Sequence, residues 1–123
     1  MILLDSNILI YSASEQHKDL RELIKKSEAV CSIISKLEIL GYHKITAEQI
    51  KYFEAVFKVI DILPVSDEVI NQAIKYRQKK SMSVGDAIIA ASAKMFSCDL
   101  YTNNVEDFVN IKDFKIINPV KQT

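Results

Sequence analysis

The chain opens on an apolar run that stops dead on an acid. Ile2, Leu3 and Leu4 are followed by Asp5, Ser6 and Asn7, and a second apolar stretch begins at Ile8. A short apolar run bounded by turn-forming polar residues reads as a buried strand. With a helix after it, Asp5 lies at the carboxyl end of that strand, the edge of an open α/β sheet where ligands bind. Such an acid either caps the next helix or holds a metal ion.

The rest of the chain supplies the sheet. Residues 7–14 predict a short helix capped by Ser6 or Asn7. Residues 15–26 form a charged amphipathic helix with Leu20, Leu23 and Ile24 on one face. Strand candidates follow at 29–31, at 60–65 (closed by Pro64), at 98–102 and at 114–117. Between them, residues 32–42 carry Ile33, Leu37 and Leu40 on one helical face, with Glu38 at its edge. Thr46 and Gln49 have capping-box spacing ahead of a helix over 46–59 with Ile50, Phe53, Val56 and Phe57 inside. Ser66 or Asp67 opens a helix burying Val69, Ile70, Ala73, Ile74 and Tyr76. Residues 79–84 read as a polar loop. Residues 87–96 are apolar in every direction, which marks a buried helix, and Asp86 sits at or next to its start. A turn or short helix covers 105–110. Strands alternating with helices imply one α/β domain over 1–123, with a mainly parallel central sheet between two helical layers.

Composition excludes several classes. The 16 basic and 16 acidic residues cancel, so contact with nucleic acid must be local rather than by bulk charge. Asp5 interrupts the first apolar stretch, against a signal peptide, and no apolar run approaches the ~20 residues of a membrane span. Cys31 and Cys98 lack ligand spacing and read as buried free thiols of a reducing compartment. A cytosolic protein without membrane contact is expected. His17 and His43 lie in polar surroundings and read as surface histidines.

Taken singly, the acids have ordinary readings: Asp5 and Asp86 as helix caps, Glu38 as a solvated boundary residue. Together they say more. Asp5 ends a strand expected at the sheet centre, and Asp86 opens the helix expected to be buried. No Lys or Arg lies at helical spacing from either. An unpaired buried charge is costly, and a divalent cation, which prefers oxygen ligands, supplies the missing charge.

Asp5-Ser6-Asn7 after an apolar strand, Glu38 within SIISKLEIL, Asp86 within DAIIAASA and the segment LYTNNVEDF together resemble the PIN-domain ribonucleases, in order and across nearly the whole chain. Within that family the chain is most similar to VapC-type toxins of toxin–antitoxin pairs. The resemblance implies a three-layer α/β/α PIN-like fold and Mg²⁺- or Mn²⁺-dependent hydrolysis of RNA to 5′-phosphate and 3′-hydroxyl ends. It assigns Asp5, Glu38 and Asp86 as catalytic and metal-binding residues, with Glu38 acting through water or as a base. Ser6 and Thr102 either cap structure or bond an acid or a metal-bound water. The family often has a fourth acid where this chain has Asn104; Asp107 either takes that part or is a surface acid. A neutral amide weakens any second ion site. Lys79 and Lys80 are placed to touch the RNA backbone or are plain solvated charges. The resemblance also implies a cognate antitoxin seated in a groove within 15–59, and a homodimer formed between equivalent helices.

Two rivals stand beside this reading. An Asp-nucleophile phosphatase also puts an acid after the first strand, but Asn7 occupies the position of its second acid. A catalytically inactive PIN-like scaffold would bind RNA or a protein partner without cutting.

Overall fold

The computed structural model describes residues 1–26 and 28–120, so the last three residues of the expected domain, 121–123, lie outside the described residues. Five strands form one sheet: β1 Ile2–Leu4, β2 Ala29–Ser32, β3 Asp61–Leu63, β4 Asp99–Tyr101 and β5 Ile116–Ile117. Their order is β3-β2-β1-β4-β5, and every pairing is parallel. The chain builds outward from β1 to β3, then crosses back to lay β4 on the other side of β1. The order therefore reverses between β1 and β4, and a crevice opens outside the strand ends at such a reversal.

Six helices surround the sheet: α1 Ser6–Ser12, α2 Lys18–Ile24, α3 Ile33–Leu40, α4 Ala47–Val59, α5 Asp67–Lys79 and α6 Val84–Met95. Successive strand residues point to opposite faces, and β1 uses both. Leu3 packs with α5 and α6 in one core, and Leu4 packs with α1, α2 and α4 in the other. This is the expected three-layer α/β/α arrangement. Residues 87–93 of α6 are all buried, and their alanines let the helix lie close to the sheet. Ser92 remains satisfied there by donating to the Ile88 carbonyl at 2.8 Å. The Thr46–Gln49 capping box forms with both bonds, at 3.0 and 3.1 Å. Both cysteines are buried and free, and no helix among the described residues is long and apolar enough to cross a membrane.

Several local expectations are corrected. Helix α1 is capped by Asp5, not by Ser6 or Asn7, because extended backbone at Asp5 turns its carboxylate onto the Ser6 N–H. The stretch 15–26 splits into a 3-10 turn, Glu15–His17, and α2, since His17 departs from helical geometry. The loop at 79–84 shrinks to 80–83, because α5 runs through Lys79 and Ser83 caps α6. The strands at 60–65 and 114–117 contract to three and two residues. The faces of three helices were also misread. In α3, Ile33 and Leu37 face solvent while Ser35 and Ile39 are buried, because Ser35 meets Ser6 of α1 and Ile39 joins the core built with α1, α2 and α4. Ile50 of α4 and Ile70 and Ile74 of α5 are exposed.

Candidate active site

The β1/β4 reversal places Asp5 and Thr102 side by side. The Asp5 N–H donates to the Tyr101 carbonyl at 2.9 Å, extending the β1–β4 ladder by one rung. Asp5 Oδ1 accepts the Ser6 N–H, and Oδ2 accepts the Thr102 hydroxyl, each at 2.8 Å. Thr102 is fully buried, and its Oγ1 in turn accepts the Asn104 N–H. Asp5 itself is only 6% exposed. Burial pushes its carboxyl from 3.8 up to about 6, against the lowering bonds from Thr102 and Ser6, and with nearby Asp86 and Glu38 adding to the rise.

Helix α3 delivers Glu38 to the same corner. Its Oε1 accepts the Ser6 hydroxyl at 2.8 Å, and the Ser6 and Ser35 hydroxyls lie 2.8 Å apart. A hydroxyl carries one proton and a carboxylate only accepts. Ser6 is the donor in both contacts, so its single proton is shared between Glu38 Oε1 and Ser35 Oγ. Ser6 thus bonds an acid, the second of its two sequence readings, as Thr102 does.

Asp86 is the third residue of α6, and its N–H donates to Ser83 Oγ at 3.0 Å. Its carboxyl is raised, first by burial and then by Asp107. The Ser83 bond and Lys80 oppose the rise, and Glu38 adds to it. Among the acids around Asp86, Asp107 raises it more than Glu38 does. Asn104 is exposed; its backbone N–H donates to Thr102 Oγ1 and its carbonyl accepts the Asp107 N–H at 3.0 Å. Asp107 ends a 3-10 turn, Val105–Asp107, whose Glu106 and Asp107 carbonyls accept Lys80 Nζ at 3.4 and 3.2 Å. Lys79 points to solvent. His17 and His43 lie beside tyrosine rings instead, at 5.4 and 5.2 Å between centroids.

Three contributors escaped sequence reasoning. Ser35 is a small polar residue one helical turn before Glu38, on the side that turned out to be buried. Ser83 stands three residues before Asp86, a cap spacing that was legible. Gly85 touches Glu38, which only the packing of α3 against α6 reveals.

Among the described residues, no Lys or Arg forms an ion pair with Asp5, Glu38 or Asp86. The donors are carboxylate and hydroxyl oxygens, the set that hard divalent cations prefer, and a cation would relieve the repulsion that raises Asp5 and Asp86. Among the described residues no three acid, His or Cys side chains close into a ready-made cage. The residues fit a divalent ion held in an open crevice, with Asp5 fixed and Glu38 exposed enough to adjust.

An apolar groove of about 290 Å³ runs from Glu38 between α1, α3 and α4, lined by Ile10, Ala13, Ile39, Tyr42, Ile45, Gln49 and Phe53.

A family model for the PIN domain matches residues 2–113. Among curated proteins there is no match. Solved structures of similar fold include a toxin–antitoxin complex from Klebsiella pneumoniae, with a TM-score of 0.81 and 24% identity over 99% of this chain and 100% of that one. FitAcB from Neisseria gonorrhoeae has a TM-score of 0.78 and 22% identity over 97% of this chain and 98% of that one. VapBC2 from Rickettsia felis, bound to a DNA fragment from its promoter, has a TM-score of 0.77 and 21% identity over 96% of this chain and 98% of that one.

Proposed function

The chain belongs to the PIN-domain family, and from that premise we propose that it is a metal-dependent endoribonuclease, the VapC-type toxin of a toxin–antitoxin pair. The observation that carries the reading is Asp5: a carboxylate buried at the sheet's reversal point, raised to about 6, with two further acids pressing on it. PIN domains generally use divalent metal ions.

In this reading Asp5 and Asp86 hold Mg²⁺ or Mn²⁺. Glu38 binds through water or takes the proton of the attacking water, while Ser6 orients its carboxylate. Thr102 fixes the rotamer of Asp5. Asp107 adds negative charge beside Asp86 and gives a second ion a better seat than Asn104 would. A bound ion supplies a water of lowered pKa and neutralises charge on the phosphate. Hydrolysis of an RNA phosphodiester at these residues would leave 5′-phosphate and 3′-hydroxyl ends. Lys79, exposed at the end of α5, is the better of the two lysines for the RNA backbone, because Lys80 is bonded to the 105–107 turn.

The groove beside Glu38 suits an apolar segment of a cognate antitoxin, which would then end at the acids. The solvent-facing Ile33 and Leu37 of α3 and the Ile70, Ile74 and Val84 surface of α5 and α6 suit a homodimer. The cytoplasm is the proposed location.

The test is cleavage of a mixed tRNA and rRNA pool with Mg²⁺ or Mn²⁺, against EDTA and against Asp5→Ala. Discrete fragments that need both the metal and Asp5 are expected. Full cleavage by Asp5→Ala, or cleavage indifferent to EDTA, removes the assignment. Inactivity together with no metal binding leaves the scaffold reading.

A further inference from the structure

Gly85 occupies the second position of α6 with no left-handed backbone to demand a glycine. In a helix, glycine is less favourable than alanine, so the residue carries a cost that packing must explain. A Cβ built at Gly85 would lie 2.6 Å from Glu38 Oε2 and 3.4 Å from Glu38 Cδ. The three nearest atoms it would meet outside its own helix backbone all belong to that one carboxylate. The other oxygen of the same group accepts the Ser6 hydroxyl at 2.8 Å.

Glu38 is thus held between two elements. Ser6, backed by the buried Ser35, draws Oε1 toward the β1 end, and the bare Cα of Gly85 lets Oε2 lie against the first turn of α6. Free N–H groups at a helix start favour a carboxylate there. A methyl group at position 85 would meet only the tip of a flexible side chain. The chain can accommodate it by swinging Glu38 away, which spares the fold and vacates the site.

Gly41 is the opposite case. A Cβ there would lie 2.5 Å from the Leu37 backbone carbonyl, which cannot swing aside.

We infer that Gly85 is a positioning residue: its missing side chain seats the Glu38 carboxylate between Ser6 and Asp86, and so sets how tightly the crevice holds its divalent ion. This rests on the metal-dependent reading above. The residue itself touches neither the ion nor RNA.

The experiment compares wild-type, Gly85→Ala and Gly41→Ala proteins in three ways: thermal melting in EDTA, Mn²⁺ affinity by calorimetry, and a crystal structure of Gly85→Ala. Gly85→Ala is expected to melt at the same temperature as wild type or higher, to lose the Ser6–Glu38 bond, and to bind Mn²⁺ roughly tenfold more weakly. Gly41→Ala is expected to melt lower. The inference is overturned if Gly85→Ala melts well below wild type, since the glycine then serves the fold. It is equally overturned if Glu38 keeps its bond to Ser6, or if Mn²⁺ affinity is unchanged. Wild-type protein that binds no Mn²⁺ fails the functional reading itself, and this inference with it, whatever Gly85→Ala does.

Discussion

The two ends of the acid crevice are built differently. At one end Asp5 continues the central ladder, is 6% exposed, and has both oxygens bonded. The loop after β4 is pinned to the same helix, with the Asn103 N–H donating to Asn7 Oδ1 at 3.2 Å. At the other end Asp107 lies exposed on a three-residue turn whose carbonyls are gathered by one lysine. Between them Asp86 is half-buried in a helix start. A carboxylate fixed by the sheet sets where an ion sits. Asp107 is instead held only through its turn, by the buried Phe108 beside it and the Lys80 bonds to the backbone. The strand end therefore carries the identity of the site, and the turn end adds charge beside it.

The largest expected effect falls on the rigid end. Asp5→Ala is expected to lower single-turnover RNA cleavage by roughly a thousandfold or more, since several kcal/mol of charge stabilisation go with the ion. A loss below about tenfold would break the contrast.

The same burial predicts a stability effect in metal-free protein. The folded state holds the Asp5 proton more tightly than the unfolded chain does. Its contribution is therefore most favourable at acid pH, falls as pH rises from about 4 to about 6, and is flat above that. Asp5→Asn keeps a capping side chain and removes the slope. Urea unfolding in EDTA at pH 7.5 is expected to show Asp5→Asn more stable by up to about 3 kcal/mol, with the gap closing toward pH 4. In wild type, Mn²⁺ affinity is expected to climb through about pH 6, as Asp5 ionises. Equal pH slopes for Asp5→Asn and wild type would remove the burial account.

At the turn end the effects shrink. Asp107→Asn is expected to weaken Mn²⁺ binding by about tenfold, while Asn104→Ala leaves it within about twofold. The reverse ranking, read by calorimetry, would make Asn104 the fourth ligand position. The smallest effect belongs to Lys80. Lys80→Met frees the 105–107 turn and is expected to cost about two- to fivefold in Mn²⁺ affinity, with Lys80→Arg restoring it, consistent with about 1 kcal/mol for a hydrogen-bonded contact. If Lys80→Met instead leaves Mn²⁺ affinity unchanged and flattens the salt dependence of RNA binding, Lys80 acts on the phosphate backbone, and the turn is held without it.

Legibility follows the range of the interaction. Asp5 and Asp86 were readable as candidates because each sits where a period changes, strand to helix or loop to buried helix, although capping alone also favours an acid there, and Asp5 does cap α1. The all-round apolar stretch 87–96 announced burial, which holds over 87–93 and ends at the exposed Lys94 and Met95. Helix α3 was readable as a helix and misread in orientation. Ile33 and Leu37 suggested an inward stripe, yet the inward side holds Ser35 and Ile39, because that side meets Ser6 and the core of α1, α2 and α4. The parts of Asp107 and Asn104 stayed open in the sequence because three residues separate them along the chain and only the path of the turn chooses between them.

The sequence alone determined the order of strands and helices, the parallel sheet and the presence of three acids. Those are consequences of local periodicity, capping and the rule that crossovers return on one hand. Tertiary structure decided that Asp107 lies near enough to Asp86 to raise it, that the Ser6 hydroxyl meets both Ser35 and Glu38, and that Gly85 leaves open space for a carboxylate. These are contacts between elements far apart in the chain. They exist only once α3 and α6 pack against each other at the ends of β1 and β4, and no spacing along the sequence encodes that meeting.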